Sequence, residues 1–406
     1  MSPFHSSVEK INSVFTPAKP IQTKELFSGR LTEIEKIQST FLETGSHLIL
    51  YGDRGVGKTS LANIVNLINS DQHSSVHCIK ISCYPEDTFN DLWKKIFNDI
   101  TVNTSTQKES IGFIKEATNK RNSPVLLLEA LGLKQVNISV NEVLHTLKIL
   151  QSKLDTNGIF IFDEFDVITD INLKKEFTYL LKALSDESLN HTVMLVGIAE
   201  TIENLIESHQ SLERCLKEIK LKNLSGDELQ QIIDNGLKSL SLTMENSVKT
   251  SIIHFSGGLP HYTHLLSRES AKQAVLSSVN HITREHFDAA VEEAISNSLE
   301  STKRTYQKAV MNDSDHTIEN VLTACALTKV DDYGCFTSTD IKTTLATTLK
   351  QKSLKQSYLR YLNRLCSPER GEILKKRGTS RQYNFEFKKP LLRGFIKMKA
   401  YDQGIL

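Results

Sequence analysis

The chain has 406 residues, of which 39% are apolar and 24% charged, with a net charge of +1. This composition is typical of a folded, helix-rich protein, and the length suggests two or three domains. No stretch approaches the roughly 18 to 20 apolar residues of a membrane span, and the six cysteines form no C-x-x-C pair that would predict a zinc site. We therefore expect a cytoplasmic protein with no membrane partner.

The phosphate-loop motif G-x-x-x-x-G-K-T lies directly after the apolar run Leu48–Tyr51 and before a helical pattern. Its glycines let backbone N–H groups turn toward a phosphate, and the helix starting at Lys58 points its positive end at the same anion. Lys58 would reach the β- and γ-phosphates of ATP, and the Thr59 hydroxyl would coordinate Mg²⁺. The alternative is a chance Gly-rich turn, which this strand-loop-helix context disfavours. The nucleotide-binding residues predicted here are Gly52, Asp53, Arg54, Gly55, Val56, Gly57, Lys58, Thr59 and Ser60.

The segments after this loop alternate between strand and helix patterns. Val76–Ile81 predicts a strand and Asp87–Ile100 a helix. Such alternation indicates a parallel sheet with helices on both faces and ligands at the carboxyl ends of its strands. Residues 101–140 break the alternation, and we assign them only as an insertion of unassigned role.

Two adjacent acids end the apolar strand Gly158–Phe162. Asp163 would hold a Mg²⁺-bound water, and Glu164 would polarise the water that attacks the γ-phosphate. An acidic turn after a core strand is the alternative, but the upstream phosphate loop favours the catalytic roles. Asp166 fits either a site residue or a solvated helix start.

An all-helical region follows, beginning at the capping box Ser225–Glu228. A helix carrying Val248 to Phe255 ends at the stop signal Gly257–Pro260, and a last helix covers Arg284–Asn297.

Residues 341–400 carry 16 Lys or Arg and three Glu, a net charge of +13 that leaves −12 for the rest of the chain. A basic end on an acidic body is typical of contact with a polyanion. Helix patterns at Thr317–Ala326, Phe336–Leu345 and Lys352–Cys366 precede strand patterns at Glu372–Arg377 and Arg381–Phe387. This is the order of a helix-turn-helix with a β wing.

The polar face of the third helix suits the major groove of duplex DNA, and the basic wing suits phosphates. The alternative is a winged helix used only for protein contacts. The charge favours duplex DNA, with these contact residues: Lys352, Gln356, Arg360, Asn363, Arg364, Lys375, Lys376, Arg377 and Arg381.

Together these motifs resemble the AAA+ ATPases of the initiator clade, which comprises origin-recognition and helicase-loader proteins. The resemblance implies an α/β P-loop NTPase core over residues 1–222, with 1–25 as a lead-in, then an all-α lid over 223–300 and a winged helix over 301–406. The segments that carry it are Phe27–Arg30, Gly52–Thr59, Asp163–Asp166, Ser211–Arg214 and Gly257–His261.

The resemblance also implies roles for single residues. Arg30 and the segment Pro20-Ile21 would flank the adenine, and Pro260 and His261 would lie at the nucleotide from the lid. Arg214 would be a finger that reaches the γ-phosphate of a neighbouring subunit, so hydrolysis would depend on a homo-oligomer or hetero-complex formed with ATP. An exposed helix-end arginine is the alternative for Arg214.

Two positions depart from the clade's pattern. Gly197 stands at a strand tip where the clade has a polar sensor, and His261 stands where an arginine opens the lid helix. Both departures predict slow hydrolysis. The turn Gly257–Pro260 before a winged helix is also similar to that of signal-transduction ATPases with numerous domains, in which ADP holds a closed state and ATP an open one.

Three hypotheses remain open on the sequence. The first is an ATPase that binds Mg-ATP, holds duplex DNA through its winged helix, and couples nucleotide state to assembly or partner loading. The second is an ADP/ATP switch with slow hydrolysis that acts through a protein partner. The third is a targeting subunit of a mobile-element or defence system, which fits the same residues.

Overall fold

The computed structural model of the chain describes residues 3–72, 76–104, 123–127, 137–154, 157–198, 212–313, 316–349, 358–379 and 382–406. These residues form two compact units. One comprises Arg30–Gly52 and Leu61–Lys220, and the other comprises Met1–Gly29, Asp53–Ser60 and Leu221–Leu406. Within the described ranges, no helix has the length and apolarity needed to cross a membrane.

The first unit is built on a five-stranded sheet in the order β2-β5-β6-β1-β7, in which every neighbouring pair is parallel. The three central strands, β5, β6 and β1, are buried and mostly apolar, as expected when helices cover both faces of a sheet. The separate pair β3-β4 is antiparallel and belongs to the predicted insertion. The strands are β1 (His47–Tyr51), β2 (Val76–Ser82), β3 (Thr101–Thr104), β4 (Ser123–Leu126), β5 (Asn157–Asp163), β6 (His191–Gly197) and β7 (Leu216–Lys220).

An aromatic cluster fills the core beside this sheet. Trp93 is fully buried, and its ring centroid lies 5.4 Å from those of Phe97 and Phe160 and 5.5 Å from that of Phe162. Helix α1 (Pro3–Val14) belongs to the other unit. The helices that contribute to this unit are α2 (Leu31–Phe41), α3 (Lys58–Gln72), α4 (Phe89–Asn98), α5 (Val140–Leu154) and α6 (Ile171–Asp186). The helix predicted at 87–100 begins at Phe89, because Thr88 caps its start through Asp91.

The second unit contains the predicted lid. Its helices are α7 (Gly226–Leu240), α8 (Asn246–Ser256), α9 (Pro260–Leu276) and α10 (Arg284–Ser296), with short strands β8 (Thr243–Met244) and β9 (His281–Ile282). The predicted capping box is confirmed, since the Glu228 N–H donates to Ser225 Oγ and the Ser225 N–H donates to the Glu228 carboxylate. The predicted stop is also confirmed, because Gly257 and Gly258 adopt φ angles of 57° and 88° after α8 ends.

The C-terminal elements belong to the same unit and share one apolar core with the lid. They are α11 (Glu300–Val310), α12 (Thr317–Leu327), β10 (Phe336–Thr337), α13 (Ser338–Thr347), α14 (Tyr358–Leu365), β11 (Leu374–Thr379), β12 (Gln382–Phe387) and α15 (Pro390–Asp402). Strand β12 lies between β10 and β11 in an antiparallel sheet.

The strand predicted from Glu372 begins two residues later. Gly371 and Glu372 both have left-handed φ angles, 79° and 48°, and this turn keeps them out of the sheet. The third helix, predicted from Lys352, is described from Tyr358, and its earlier part lies outside the described residues.

Candidate functional site

The phosphate loop follows the end of β1, and α3 begins at Lys58. Gly55 and Gly57 have φ angles of 89° and 97°, which L-residues rarely adopt. This conformation turns backbone N–H groups into the loop, next to the N-terminus of a helix, and so suits a phosphate. The Lys58 ammonium donates to the Asp53 carbonyl at 2.9 Å and thus folds over the loop.

Three other segments of the same unit border this loop. The Ile21 N–H donates to Ser60 Oγ at 3.1 Å, so the predicted adenine segment lies at the first turn of α3. A Cβ atom placed on Gly57 would lie 3.9 Å from Pro260, and one on Gly55 would lie 3.5 Å from Leu391 Cδ2. The lid turn and the start of α15 therefore both reach the loop.

His261, at the first turn of α9, forms a hydrogen bond with the backbone and does not present an exposed positive charge. Its Nδ1 donates to the Pro17 carbonyl at 2.8 Å, and burial lowers its pKa. A neutral imidazole engaged in this way lacks the fixed charge of the arginine that the initiator clade has here.

The acidic pair lies at the end of β5. Asp163 is only 2% exposed, and its Oδ1 accepts the Glu164 N–H at 3.0 Å. Its Oδ2 forms an ion pair of 2.9 Å with the ammonium of Lys80 on β2. Glu164 is exposed and has a left-handed φ of 58°. Such a conformation costs a non-glycine residue on the order of 1 kcal/mol and is common at functional sites.

Gly197, at the tip of β6, has no side chain, and the side chain of Asp166 lies beside it. A Cβ atom placed on Gly197 would lie 3.0 Å from Asp166 Oδ1. The carboxylate of Asp166 thus occupies the position next to the strand tip where the clade's polar sensor would project.

The two predicted arginines of the core have different environments. Arg30 is buried, with a φ of 64°, and its guanidinium pairs with Glu33 at 3.1 Å. Arg214 is exposed on the turn before β7, so its position fits both the finger and an ordinary surface arginine. Ser211 lies outside the described residues.

The predicted nucleic-acid surface has its described residues on α14 and β11. Arg360 and Asn363 are exposed, and the Lys376 ammonium donates to Asn363 Oδ1 at 3.1 Å, which joins the wing to the helix. Arg364 is half-buried in α14, and Lys375 lies beside Lys376 on β11. Lys352, Gln356 and Arg381 lie outside the described residues.

Several cations in the basic region do not contribute free positive charge to this surface. Arg377 pairs with Glu386 at 2.8 Å. Arg370 and Lys397 are buried and Arg393 is half-buried, and their guanidinium or ammonium groups donate to backbone carbonyls. The surface charge is therefore lower than the sequence count of +13.

Residues 27–266 match the model of a family described as an ATPase domain predominantly from Archaea. The chain belongs to this ATPase family. Its fold is shared with the Walker-type ATPase paby2304 of Pyrococcus abyssi, which is 18% identical with a TM-score of 0.55 over 95% of this chain and 99% of that one. It is also shared with the ORC2 protein of Aeropyrum pernix in ADPNP–ADP complexes, 15% identical with a TM-score of 0.51 over 97% of each chain. No curated protein matches the ATPase.

Sequence reasoning did not find two residues of this ATPase that lie beside the candidate site. They are Lys80 at Asp163 and Leu391 at Gly55. For Lys80 the sequence offers one indication, a charged residue within the mostly apolar strand β2. That indication does not identify Asp163 as its partner.

Proposed function

We propose that the protein binds and hydrolyses ATP with Mg²⁺. The observation that carries this proposal is the phosphate loop, whose Gly55 and Gly57 are left-handed and whose helix begins at Lys58. In the proposed reaction Lys58 binds the β- and γ-phosphates, and the loop N–H groups hold the phosphates in place. Glu164 orients the attacking water and takes up its proton.

The residues present fit Mg²⁺. The predicted ligands, the Thr59 hydroxyl and the Asp163 carboxylate, are oxygen donors, which Mg²⁺ prefers. Asp163 is buried, and its Oδ2 already lies 2.9 Å from a positive charge, as expected for a carboxylate placed to face a cation. When bound, Mg²⁺ would neutralise charge on the phosphates.

We further propose that the C-terminal elements form a winged helix that binds duplex DNA. The support is their order, α12-β10-α13-α14-β11-β12, together with the exposed Arg360 and Asn363 beside the basic strand β11. Phosphate contacts would give affinity that falls with salt. In this proposal residues 223–300 are the lid, 301–406 the winged helix, and Arg214 completes the site of a neighbouring subunit.

A second candidate function is a nucleotide switch with slow hydrolysis that acts through a protein partner. Three observations favour it. Gly197 carries no side chain, and burial lowers the pKa of His261, which is hydrogen-bonded to the Pro17 carbonyl. Leu391 of the C-terminal region lies against the phosphate loop at Gly55. A phosphate bound in the loop would lie close to Leu391. Helix α15 would therefore respond to which nucleotide is bound.

The test of nucleotide binding is the variant Lys58→Ala, because the lysine charge on the phosphates is lost. We expect binding of a fluorescent ATP analogue to disappear, while the exposed-lysine control Lys36→Ala binds as the parent protein does. Retained affinity in Lys58→Ala would refute the phosphate-loop assignment. ADP that stays bound through purification, with no turnover, would favour the switch.

A further inference from the structure

Lys80 is a largely buried cation of the central sheet. Its ammonium lies next to the carboxylate of Asp163, which the proposed function assigns to Mg²⁺ binding. Lys80 projects from the edge strand β2, is 13% exposed, and its ammonium lies 2.9 Å from Asp163 Oδ2. Asp163 is 2% exposed. Because little water reaches the pair, its electrostatic interaction is screened far less than that of a surface pair.

The two oxygens of Asp163 have separate partners. Oδ1 accepts the Glu164 N–H at 3.0 Å, whereas Oδ2 faces Lys80. A divalent cation, or a water bound to it, that approaches Oδ2 therefore meets a positive charge at the same atom. Lys95, on the neighbouring helix α4, is instead engaged with Asp87 at 2.6 Å.

We propose that Lys80 is a positioning residue that orients the Asp163 carboxylate and competes with Mg²⁺ for Oδ2. It thereby sets the Mg²⁺ concentration at which nucleotide binds. This inference rests on the proposed Mg-ATP site. Since coupling between two bound charges is reciprocal, removal of the ammonium strengthens Mg²⁺ binding, and bound Mg²⁺ weakens the Lys80–Asp163 pair.

A purely structural lysine gives a different result. If Lys80 only joined β2 to β5, its removal would lower stability and leave the Mg²⁺ dependence of nucleotide binding unchanged, because the strands are already paired by their backbones from Val76↔Asn157 to Ser82↔Asp163.

The experiment titrates Mg²⁺ against a fluorescent, non-hydrolysable ATP analogue and records the concentration at half-maximal binding. In Lys80→Met, which keeps the chain length and removes the charge, we expect this concentration to fall about tenfold, within the usual range of coupling energies. Lys80→Arg keeps the charge and stays close to the parent protein. The control Lys148→Met removes a lysine from the exposed pair with Glu187 and leaves the concentration unchanged.

A second measurement needs no nucleotide. Without the ammonium the buried carboxylate lacks its counter-charge, so Lys80→Met unfolds at a lower temperature in chelator, and millimolar Mg²⁺ raises that temperature more than it does in the parent protein. If Lys80→Met does not fold, Lys80→Gln carries both measurements.

An unchanged or raised half-maximal Mg²⁺ concentration in the neutral variants would overturn the proposal. So would an equal effect of Mg²⁺ on the unfolding temperature of variant and parent. Failure of the proposed function itself is distinct, because the parent protein would then bind no nucleotide at any Mg²⁺ concentration, and the unfolding measurement would still test Lys80.

Discussion

His47, at the start of β1, shows how a buried neutral imidazole makes stability depend on pH. Its Nε2 donates to the Leu181 carbonyl at 3.0 Å, and its Nδ1 accepts the Val193 N–H at 3.2 Å. Burial lowers its pKa from 6.5 to about 4. Below pH 6.5 the unfolded chain takes up a proton here that the folded chain does not.

Stability should therefore fall as the pH falls from 6.5 toward 4. Between pH 7 and pH 5 we expect His47 alone to lower the free energy of unfolding by about 2 kcal/mol. In His47→Gln, whose amide can both donate and accept, the loss over this interval should be smaller by that amount. Denaturant unfolding at both pH values measures it, with the exposed His145→Gln as control. An identical loss in His47→Gln and the parent protein would refute this role.

The candidate site was predictable where its chemistry is local in sequence. Lys58 and Thr59 follow from one short motif, and Glu164 from the end of one strand. Lys80 was not predictable, because its partner Asp163 is brought to it only by the register of β2 on β5. The lowered pKa of His261 was likewise not predictable, because it comes from burial of the imidazole in the folded chain, where the ring meets the Pro17 carbonyl, 244 residues away.

Helix α1 and the residue after it, Phe15, pack into the core of the lid, and no local sequence pattern predicted this packing. Ile11 and Phe15 are each 1% exposed, and a Cβ atom placed on Gly236 of α7 would lie 2.3 Å from the Phe15 ring. Gly236 is therefore a close-packing position between α7 and the N-terminal segment.

Gly236→Ala should destabilise the protein even though alanine favours helices. The clash with the buried ring outweighs the gain in helix propensity, and we expect a net loss of about 1 to 2 kcal/mol. Thermal unfolding measures it. Gly226→Ala on the same helix is the control, because its Cβ would meet Ile253 at an ordinary 3.7 Å. Equal stability of both variants would contradict the packing argument.

The exposed face of α14 carries the DNA proposal. Replacement of Arg360 and Arg364 by Ala removes two cations from this helix. We expect duplex DNA affinity to fall at least tenfold, and the slope of log affinity against log salt to decrease by about 2. Fluorescence anisotropy over a salt series measures both. The exposed Arg304→Ala on α11 is the control, and unchanged affinity in the double variant would count against DNA binding through α14.

Element types were predictable because strand and helix periodicities are strong in this chain, whereas charge placement was not. The alternation of strand and helix patterns before Lys220 predicted the parallel sheet, and capping residues such as Ser225 predicted where helices begin. Periodicity cannot show that Arg393 and Lys397 turn inward to carbonyls at the ends of α12 and α8. Backbone acceptors at helix ends satisfy these cations without any acid.

The phosphate loop of this ATPase is bordered by the lid turn and by the C-terminal region. Gly57 lies near Pro260, and Gly55 lies near Leu391. Both neighbours belong to the unit that contains the loop residues 53–60. A change of nucleotide is thus expected to act on α9 and α15 together, whether the output is DNA binding or a protein partner.

The proposed ATPase and DNA-binding functions together predict that duplex DNA changes the rate of nucleotide hydrolysis. The most direct measurement is the ATP hydrolysis rate of the purified protein with and without duplex DNA, with Glu164→Gln as the blank. We expect turnover that duplex DNA raises and that Glu164→Gln abolishes, because Glu164 orients the attacking water. Nucleotide bound without turnover in either condition would contradict this expectation and favour the switch.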